Sequence, residues 1–249
     1  MNQPAVPDIV ITSRGLSSFA EWRELWNARD LLWFLIRRDL KTRYAQSVLG
    51  FGWAVVQPIF TTSVLTLIFG KLADVYSDEV PYPIWSLAGV VAWTFFQTAV
   101  TESGNCLAAN LNVITKVYFP RLVLPLAAVL GKVFDLLIML ALLAITLVAL
   151  HGQLLQTGCH LQWNALWAVP AAMLVTVISA LAAGLWLAAL SVQYRDVRVA
   201  QSLVLQLLMY ASPIIYSPLN ERFQRLPALW RELYYLNPLA GAVETMRAV

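Results

Sequence analysis

Charged side chains are scarce in this chain of 249 residues. Lys, Arg, Asp and Glu make up 12% of the sequence and apolar residues 59%, whereas a soluble domain has about 25% charged and about 45–50% apolar residues. Runs without any charge cover 44–70, 80–101, 136–194 and 199–220. Because a helix needs about 20 apolar residues to cross the hydrocarbon core of a bilayer, these runs predict an integral membrane protein.

The residues needed for common catalytic sites are also lacking. The sequence has no G-x-x-x-x-G-K-[ST] loop for nucleotide phosphates, no H-E-x-x-H and no Cys/His cluster. Its two histidines, His151 and His160, lie in one predicted loop. Inside the predicted spans Asp135 is the only acidic candidate, although proton-coupled carriers usually keep several ionisable groups there. We therefore expect no catalytic residue, metal or cofactor on this chain, and we expect another chain to supply the energy for any transport.

The apolar runs predict five spans, at about 48–70, 82–101, 133–150, 164–190 and 199–217. The longest run is divided by a polar stretch at 151–162. A membrane β-barrel is excluded, because its strands alternate apolar and polar residues and these runs do not. The predicted fold class is all-α, a single transmembrane domain over 1–249.

The basic residues are unevenly distributed among the connecting segments. Seven precede the first span, three lie between spans two and three and two between spans four and five, whereas the other two loops hold only Lys71. The positive-inside rule then places the N-terminus in the cytoplasm. The tail departs from this pattern with four arginines after span five, partly balanced by glutamates. Since the net charge of +3 reflects topology, no nucleic-acid partner is expected.

Three segments outside the spans have amphipathic patterns. Residues 19–46 combine Trp with Arg and Lys and predict a helix lying at the cytoplasmic membrane interface, with an ordinary soluble helix as the alternative. Residues 110–121 predict a short cytoplasmic docking helix, begun by Asn110 or Asn112; re-entry into the membrane or packing under the bundle is the alternative. Residues 221–235 and 238–247 predict two short helices at the external interface.

Several motifs in order along the chain resemble one known family. Residues 37–58 (RRDLKTRYAQSVLGFGWAVVQP) resemble the N-terminal signature of type-2 ABC exporter permeases, in the branch that exports O-antigen, teichoic acid and capsular polysaccharide. Residues 116–125 (KVYFPRLVLP) resemble the coupling segment of that family, and residues 193–198 (QYRDVR) its turn into span five. Residues 212–218 (SPIIYSP) and 236–241 (LNPLAG) are similar to its external motifs. The matches run from about 37 to 247, which is nearly the whole chain.

The resemblance implies a homodimeric channel driven by two separate ATP-binding subunits, which would hold the ATP and Mg²⁺. It implies six spans, so a further apolar span is expected after Arg247. It also implies a coupling helix after span two and re-entrant gate helices over 218–247. The residues expected to contact the ATPase are Val113, Ile114, Lys116, Val117, Tyr118 and Arg121. The residues expected in the gate are Trp230, Tyr234, Tyr235 and Asn237.

The substrate implied by the resemblance is a lipid-linked polysaccharide of the O-antigen type, exported across the bacterial inner membrane. Aromatic side chains pack against the C–H faces of sugars, so those at span depth are candidates for the channel wall; they are Phe60, Trp93, Tyr210 and Tyr216. Each could instead face lipid or belong to an interfacial belt. Export of a small drug or lipid is the alternative function, and a membrane-embedded glycosyl- or acyltransferase a more remote one.

Overall fold

The computed structural model describes residues 18–45, 50, 52–72, 80–116, 119–150, 152, 167–212, 214 and 227–248. Within this part of the chain the regular structure is helical and includes no strand, which confirms the all-α fold. The helices are α1 (Ser18–Asn27), α2 (Arg29–Ala45), α3 (Gly52–Leu65, continued by a π-helix Thr66–Leu72), α4 (Tyr82–Ala109), α5 (Leu111–Ile114), α6 (Val123–Ala149), α7 (Ala168–Gln193), α8 (Val197–Ala211), α9 (Ala228–Tyr235) and α10 (Pro238–Arg247).

Four of these helices are long and apolar enough to cross a membrane: Gly52–Leu72, Tyr82–Ala109, Val123–Ala149 and Ala168–Gln193. They correspond to the predicted spans one to four. Helix α8 coincides with the start of the fifth predicted span but has 15 residues, fewer than the about 20 needed to cross. Most of 213–217 lies outside the described residues, so the fifth span stays a prediction.

Helix α4 is the centre of the bundle, because α7 and α6 pack against it from two sides. Its large side chains, such as Trp85 and Phe95, are almost completely buried. The contact with α7 is close: a Cβ at Gly184 would lie 2.6 Å from Ser103 Oγ. A helix that is buried on all faces needs apolar or small residues all round, and α4 meets that requirement over residues 82–93.

Helices α4 and α6 extend beyond the predicted spans. The sequence places their facing ends at 101 and 133, whereas the helices reach Ala109 and begin at Val123. Glu102 and Lys132 therefore lie within helices and not in an irregular connecting segment. The physical reason is that their side chains form an ion pair with each other, so that a charge is retained inside each helix. The helices are thus longer than the predicted spans, and where the membrane ends along α4 and α6 stays a prediction.

The predicted docking helix over 110–121 is much shorter in the structure. Helix α5 has four residues, Leu111–Ile114. Asn110, expected to begin this helix, also ends α4, where its backbone N–H donates to the carbonyls of Cys106 and Leu107. Thr115 and Lys116 form a turn. Residues 117 and 118 lie outside the described residues.

The predicted interface helix over 19–46 is divided into α1 and α2 at Ala28. Helix α2 packs against α6 and buries Leu35 and Ile36. Trp33 and Phe34, in contrast, are largely exposed. The aromatic face of α2 is thus turned away from the bundle, which fits a helix that also meets a second apolar environment.

Helix α10 packs against α7 and α4. Its N-terminus is capped by Asn237, whose Oδ1 accepts a hydrogen bond from Leu239 N at 3.1 Å and whose Nδ2 donates to Ser212 Oγ at 3.0 Å. Its inward face buries Leu239, Ala240, Ala242, Val243 and Met246. Helix α10 is therefore attached to the bundle core.

Candidate functional site

A polar groove runs along the bundle between α3, α4 and α8. Its wall on α4 is a stripe spaced at three and four residues, which places Thr94, Gln97, Thr98 and Thr101 on one helical face. Gln57 and Thr61 of α3 lie opposite, and Met209 of α8 closes one side; Trp93 also borders the groove. The groove has a volume of about 430 Å³. Polar side chains gathered at this depth are unusual in membrane helices and indicate a functional surface.

The hydroxyl groups of this wall have acceptor capacity to spare. Thr98 Oγ1 donates to Thr94 O and Thr101 Oγ1 donates to Gln97 O, both at 2.7 Å. Each hydroxyl thereby uses its single proton within α4 and keeps lone pairs for an acceptor role. The side-chain amides of Gln57 and Gln97, which also line the groove, each carry both donor and acceptor groups. The groove can thus both donate to and accept from a polar ligand.

Four charged residues form one cluster at an end of the groove. Arg43 of α2 pairs with Glu102 of α4 at 2.7 Å and with Asp135 of α6 at 2.8 Å. Lys132 of α6 pairs with Glu102 at 2.7 Å and with Asp135 at 3.5 Å. We call these residues the ion-pair cluster. It holds two cations and two carboxylates, so its formal charges cancel.

The ion-pair cluster joins three helices in a partly dehydrated place. The side chain of Lys132 is 9% exposed and that of Asp135 15%. Tyr44, the last aromatic residue of α2, donates its hydroxyl to Asp135. Burial, reinforced by this hydrogen bond to a carboxylate, raises the pKa of Tyr44 to about 12. Because each charge has opposite charges beside it, their mutual attraction offsets part of the cost of removing the cluster from water.

Sequence reasoning named only Asp135 of this cluster. The available signal was the spacing of Lys132 and Asp135, which puts opposite charges on one helical face just before the long apolar run that begins at residue 136. Glu102 had no such local partner, since its cations come from α2 and α6. The pairing of Glu102 depends on tertiary contacts, so no local pattern could have indicated it.

Another arginine occupies the far end of α4. The guanidinium of Arg247 lies 3.4 Å from the centre of the Trp85 ring. Its Nε donates to Trp85 O at 3.2 Å and its Nη2 to Ile214 O at 3.3 Å. Gly89 makes room for it, since a Cβ there would lie 2.9 Å from Nη2. At a rise of about 1.5 Å per residue, Trp85 and Glu102 are about 25 Å apart along α4, close to the thickness of the hydrocarbon core.

The predicted channel residues differ in their surroundings. Phe60 on α3 is 70% exposed and Tyr210 on α8 is 60% exposed, so both are accessible on the surface of the single chain. Trp93 is 4% exposed and packs against Phe96 with ring centroids 5.9 Å apart, although it borders the groove. Tyr216 lies outside the described residues. The role of these four residues in a channel stays a prediction.

The predicted coupling residues lie in and around α5. Ile114 is half-buried and packs against the cluster formed by α2, α4 and α6, whereas Lys116 and Arg121 are exposed. Val113 belongs to α5, but its side chain is not described; Val117 and Tyr118 lie outside the described residues. This arrangement leaves two basic side chains free to meet a partner, and their contact with an ATPase stays a prediction.

The predicted gate residues lie on α9 and at the start of α10. Tyr234 is buried and donates its hydroxyl to Glu244 Oε1 at 2.8 Å. Tyr235 is exposed and meets the Tyr234 ring edge-on, with centroids 5.2 Å apart. Asn237 is the cap described above, and Trp230 belongs to α9, with its side chain not described. Tyr234 and Asn237 therefore stabilise the junction of the two helices, and a gating role stays a prediction.

The profile of the family described as ABC-2 type transporter matches residues 30–249. The chain belongs to the ABC-2 type transporter family. As a member it is a transport permease embedded in the membrane, and it is the membrane part of an ABC transporter whose nucleotide-binding parts are its partners. The resemblance inferred from the sequence motifs is confirmed at this level.

Three individual proteins are similar to this chain over most of its length. The O-antigen export system permease protein RfbA of Myxococcus xanthus is 29% identical over 231 residues, which cover 91% of this chain and 82% of the relative. The O-antigen export system permease protein RfbA of Klebsiella pneumoniae is 27% identical over 219 residues, covering 88% and 79%. The polysialic acid transport protein KpsM of Escherichia coli is 23% identical over 216 residues, covering 86% and 78%.

Proposed function

We propose that this chain is the channel-forming subunit of an ATP-driven exporter that moves a lipid-linked polysaccharide of the O-antigen type across the bacterial inner membrane. The names of the relatives support the substrate class. The observation that carries the proposal is the polar groove at span depth on α3 and α4. Such a surface suits a hydrated, hydroxyl-rich chain better than an apolar drug, whose pocket would be lined mainly by apolar side chains.

The groove chemistry fits a polymer that must move. A transport site has to bind well enough to admit its substrate and weakly enough to release it. Threonine hydroxyls already bonded to their own helix offer single acceptor contacts to sugar hydroxyls, and one such neutral hydrogen bond contributes only about 0.5–1.5 kcal/mol. A stripe of similar weak contacts therefore lets the polysaccharide advance along the groove, exchanging one set of hydrogen bonds for the next.

A second copy of this chain would complete the channel wall. Helices α3 and α8 flank the groove and expose apolar residues such as Phe60, Leu203 and Leu207. If α3 and α8 of one copy face those of the other, the groove becomes enclosed. The exposed apolar residues of both helices are then buried in the dimer interface and no longer face lipid. Alanine at both Phe60 and Tyr210 is then expected to lower the export of glycan while leaving assembly with the ATPase intact.

The nucleotide-binding partners are proposed to be two cytoplasmic subunits that hold ATP and Mg²⁺. In this arrangement the N-terminus, the ion-pair cluster and α5 lie on the cytoplasmic side, as the basic segments suggest. Closure of the ATPase dimer would push on α5 and its exposed neighbours Lys116 and Arg121 as a rigid-body movement. Cysteine placed at Lys116 is expected to crosslink to the partner, whereas cysteine at the exposed Trp186 on α7 serves as the control that should not.

Reconstitution tests the proposal as a whole. The chain would be expressed with its ATPase subunits in a host that assembles a lipid-linked O-antigen but lacks its own exporter. Polymer at the cell surface, dependent on the ATPase, is the expected result, and the purified chain alone should show no ATP turnover. An assembled, ATP-hydrolysing complex that leaves the polymer inside would contradict the polysaccharide assignment.

A further inference from the structure

We propose that the groove selects an uncharged glycan chain and rejects a polyanionic one. This inference rests on the proposed function and adds to it the charge class of the substrate. It rests on the described residues of the groove wall. Among those residues the side chains between the two ends of the groove are hydroxyls, amides, Trp93 and Met209, so none carries a charge.

The charges that do reach the groove belong to the ion-pair cluster. Glu102 and Lys132 line it directly, while Arg43 and Asp135 border the adjoining pocket together with Gln57 and Thr98. Both cations are already paired, since Arg43 and Lys132 each form ion pairs with both carboxylates of the cluster. A passing anion would find no free cation among these residues and would meet two carboxylates at close range.

A polyanion needs a different wall. Pores for anions and phosphate are lined by rings of Arg or Lys, because an ion leaving water must have its hydration replaced by opposite charge. A neutral polyol needs only hydrogen-bonding groups to replace lost water, which the threonines and glutamines of this wall provide. A polysaccharide with one carboxylate in each repeat would lose hydration at every carboxylate along the groove, and no free cation of the described wall would replace it.

Assembly of two copies does not change the net charge of the described groove wall. A symmetric dimer doubles every wall residue, so two neutral stripes face one another and the two ion-pair clusters still sum to zero. The selection is therefore a property of the assembled channel as well as of the single chain. It would act on the polymer itself, separately from any recognition of the lipid carrier.

The test compares two polymers in the same transporter. The full chain and its ATPase subunits are expressed in two exporter-deficient hosts, one assembling a lipid-linked neutral hexose polymer and the other a hexuronic acid polymer on the same carrier. Surface polymer is measured against intracellular polymer. We expect at least a ten-fold higher surface fraction for the neutral polymer.

Three variants assign the selection to the groove. Thr98→Lys adds a cation to the stripe, and Glu102→Gln leaves the ion-pair cluster with a net positive charge; each is expected to raise the acidic-to-neutral export ratio several-fold. Thr98→Gln changes size at the same position without charge and should leave that ratio at the value of the unaltered chain. Because Glu102→Gln could weaken helix packing, complex yield is measured for each variant.

The outcomes separate this inference from the proposed function. Equal export of both polymers by the unaltered chain overturns the inference and leaves the proposed function standing. Rejection of the acidic polymer that neither cationic variant relieves, in complexes of normal yield, also overturns the assignment to the groove. Failure to export either polymer from an intact, ATP-hydrolysing complex contradicts the proposed function instead.

Discussion

The two ends of α4 each receive an arginine from another part of the chain, but they hold it by different means. Arg43 binds the carboxylates of Glu102 and Asp135. Arg247 lies on the face of Trp85 and donates to the carbonyls of Trp85 and Ile214. The first contact depends on opposite charge, and the second depends on the planar shape of the guanidinium and on space left by Gly89.

The difference shows how each end can respond to change. A site built from ion pairs couples α2, α4 and α6, so removal of one charge leaves others without compensation inside the protein. The carbonyl and ring contacts of Arg247 require a flat, forked cation, because two N–H groups and the face of the guanidinium are used together. The Arg43 end is therefore expected to be sensitive to charge, and the Arg247 end to geometry.

Arg43→Ala is expected to have the largest effect. It leaves Asp135 and Glu102 with Lys132 as their only cation in the ion-pair cluster, which is expected to lower the free energy of unfolding by about 3 kcal/mol, as for other broken buried pairs. Unfolding by SDS in mixed micelles measures the change. The matched control is Arg38→Ala on the same helix: its pair with Asp39 is exposed, so a loss of at most about 1 kcal/mol is expected. Similar losses for both variants would show that the ion-pair cluster contributes nothing beyond a surface pair.

Arg247→Lys probes the other end and should have an intermediate effect. Lysine keeps the charge but loses the stacked plane and one of the two carbonyl contacts, and a loss of about 1.5–2 kcal/mol is expected. Arg231→Lys on the neighbouring α9, where the side chain is exposed, is the control and should change the free energy of unfolding little. Arg43→Lys adds to the comparison, since a charge-dependent site should tolerate lysine better than the Arg247 site does. The reverse order would remove the distinction between the two ends.

The sequence predicted the all-α membrane fold and the four long helices, because a long apolar run has few alternatives to a membrane helix. It did not predict where α4 and α6 meet the connecting segment. The predicted spans end at charged residues, whereas the helices continue past Glu102 and Lys132, which are paired with each other although they are distant in sequence. Pairing of this kind depends on the folded arrangement and leaves no periodic signal.

The candidate site was also predicted only in part, because some of its residues are brought together by helix packing. Aromatic residues were chosen from the sequence because of their chemistry, whereas the groove is lined mainly by threonine and glutamine. The i, i+3, i+4 and i+7 spacing of Thr94, Gln97, Thr98 and Thr101 was visible in the sequence and is the signal that could have found this wall. Its opposite wall, Gln57 and Thr61, required knowledge of how α3 packs beside α4.

Gly89→Ala tests the geometric site with the smallest change. A Cβ at Gly89 would lie 2.9 Å from Arg247 Nη2 and 3.2 Å from Ile214 Cα, so both must shift and the guanidinium would lose its position on Trp85. Gly131→Ala on α6 is the matched control, since that buried helical glycine has nothing within 4 Å of the added Cβ. The intrinsic preference for alanine in a helix favours both variants by about 1 kcal/mol. We therefore expect Gly131→Ala to raise the free energy of unfolding, and Gly89→Ala to lower it by about 1 kcal/mol because overpacking outweighs that gain.

Combining Gly89→Ala with Arg247→Lys should give less than the sum of the single losses, as both act on one contact. Strictly additive losses, or a stabilised Gly89→Ala variant, would mean that Gly89 does not make room for Arg247.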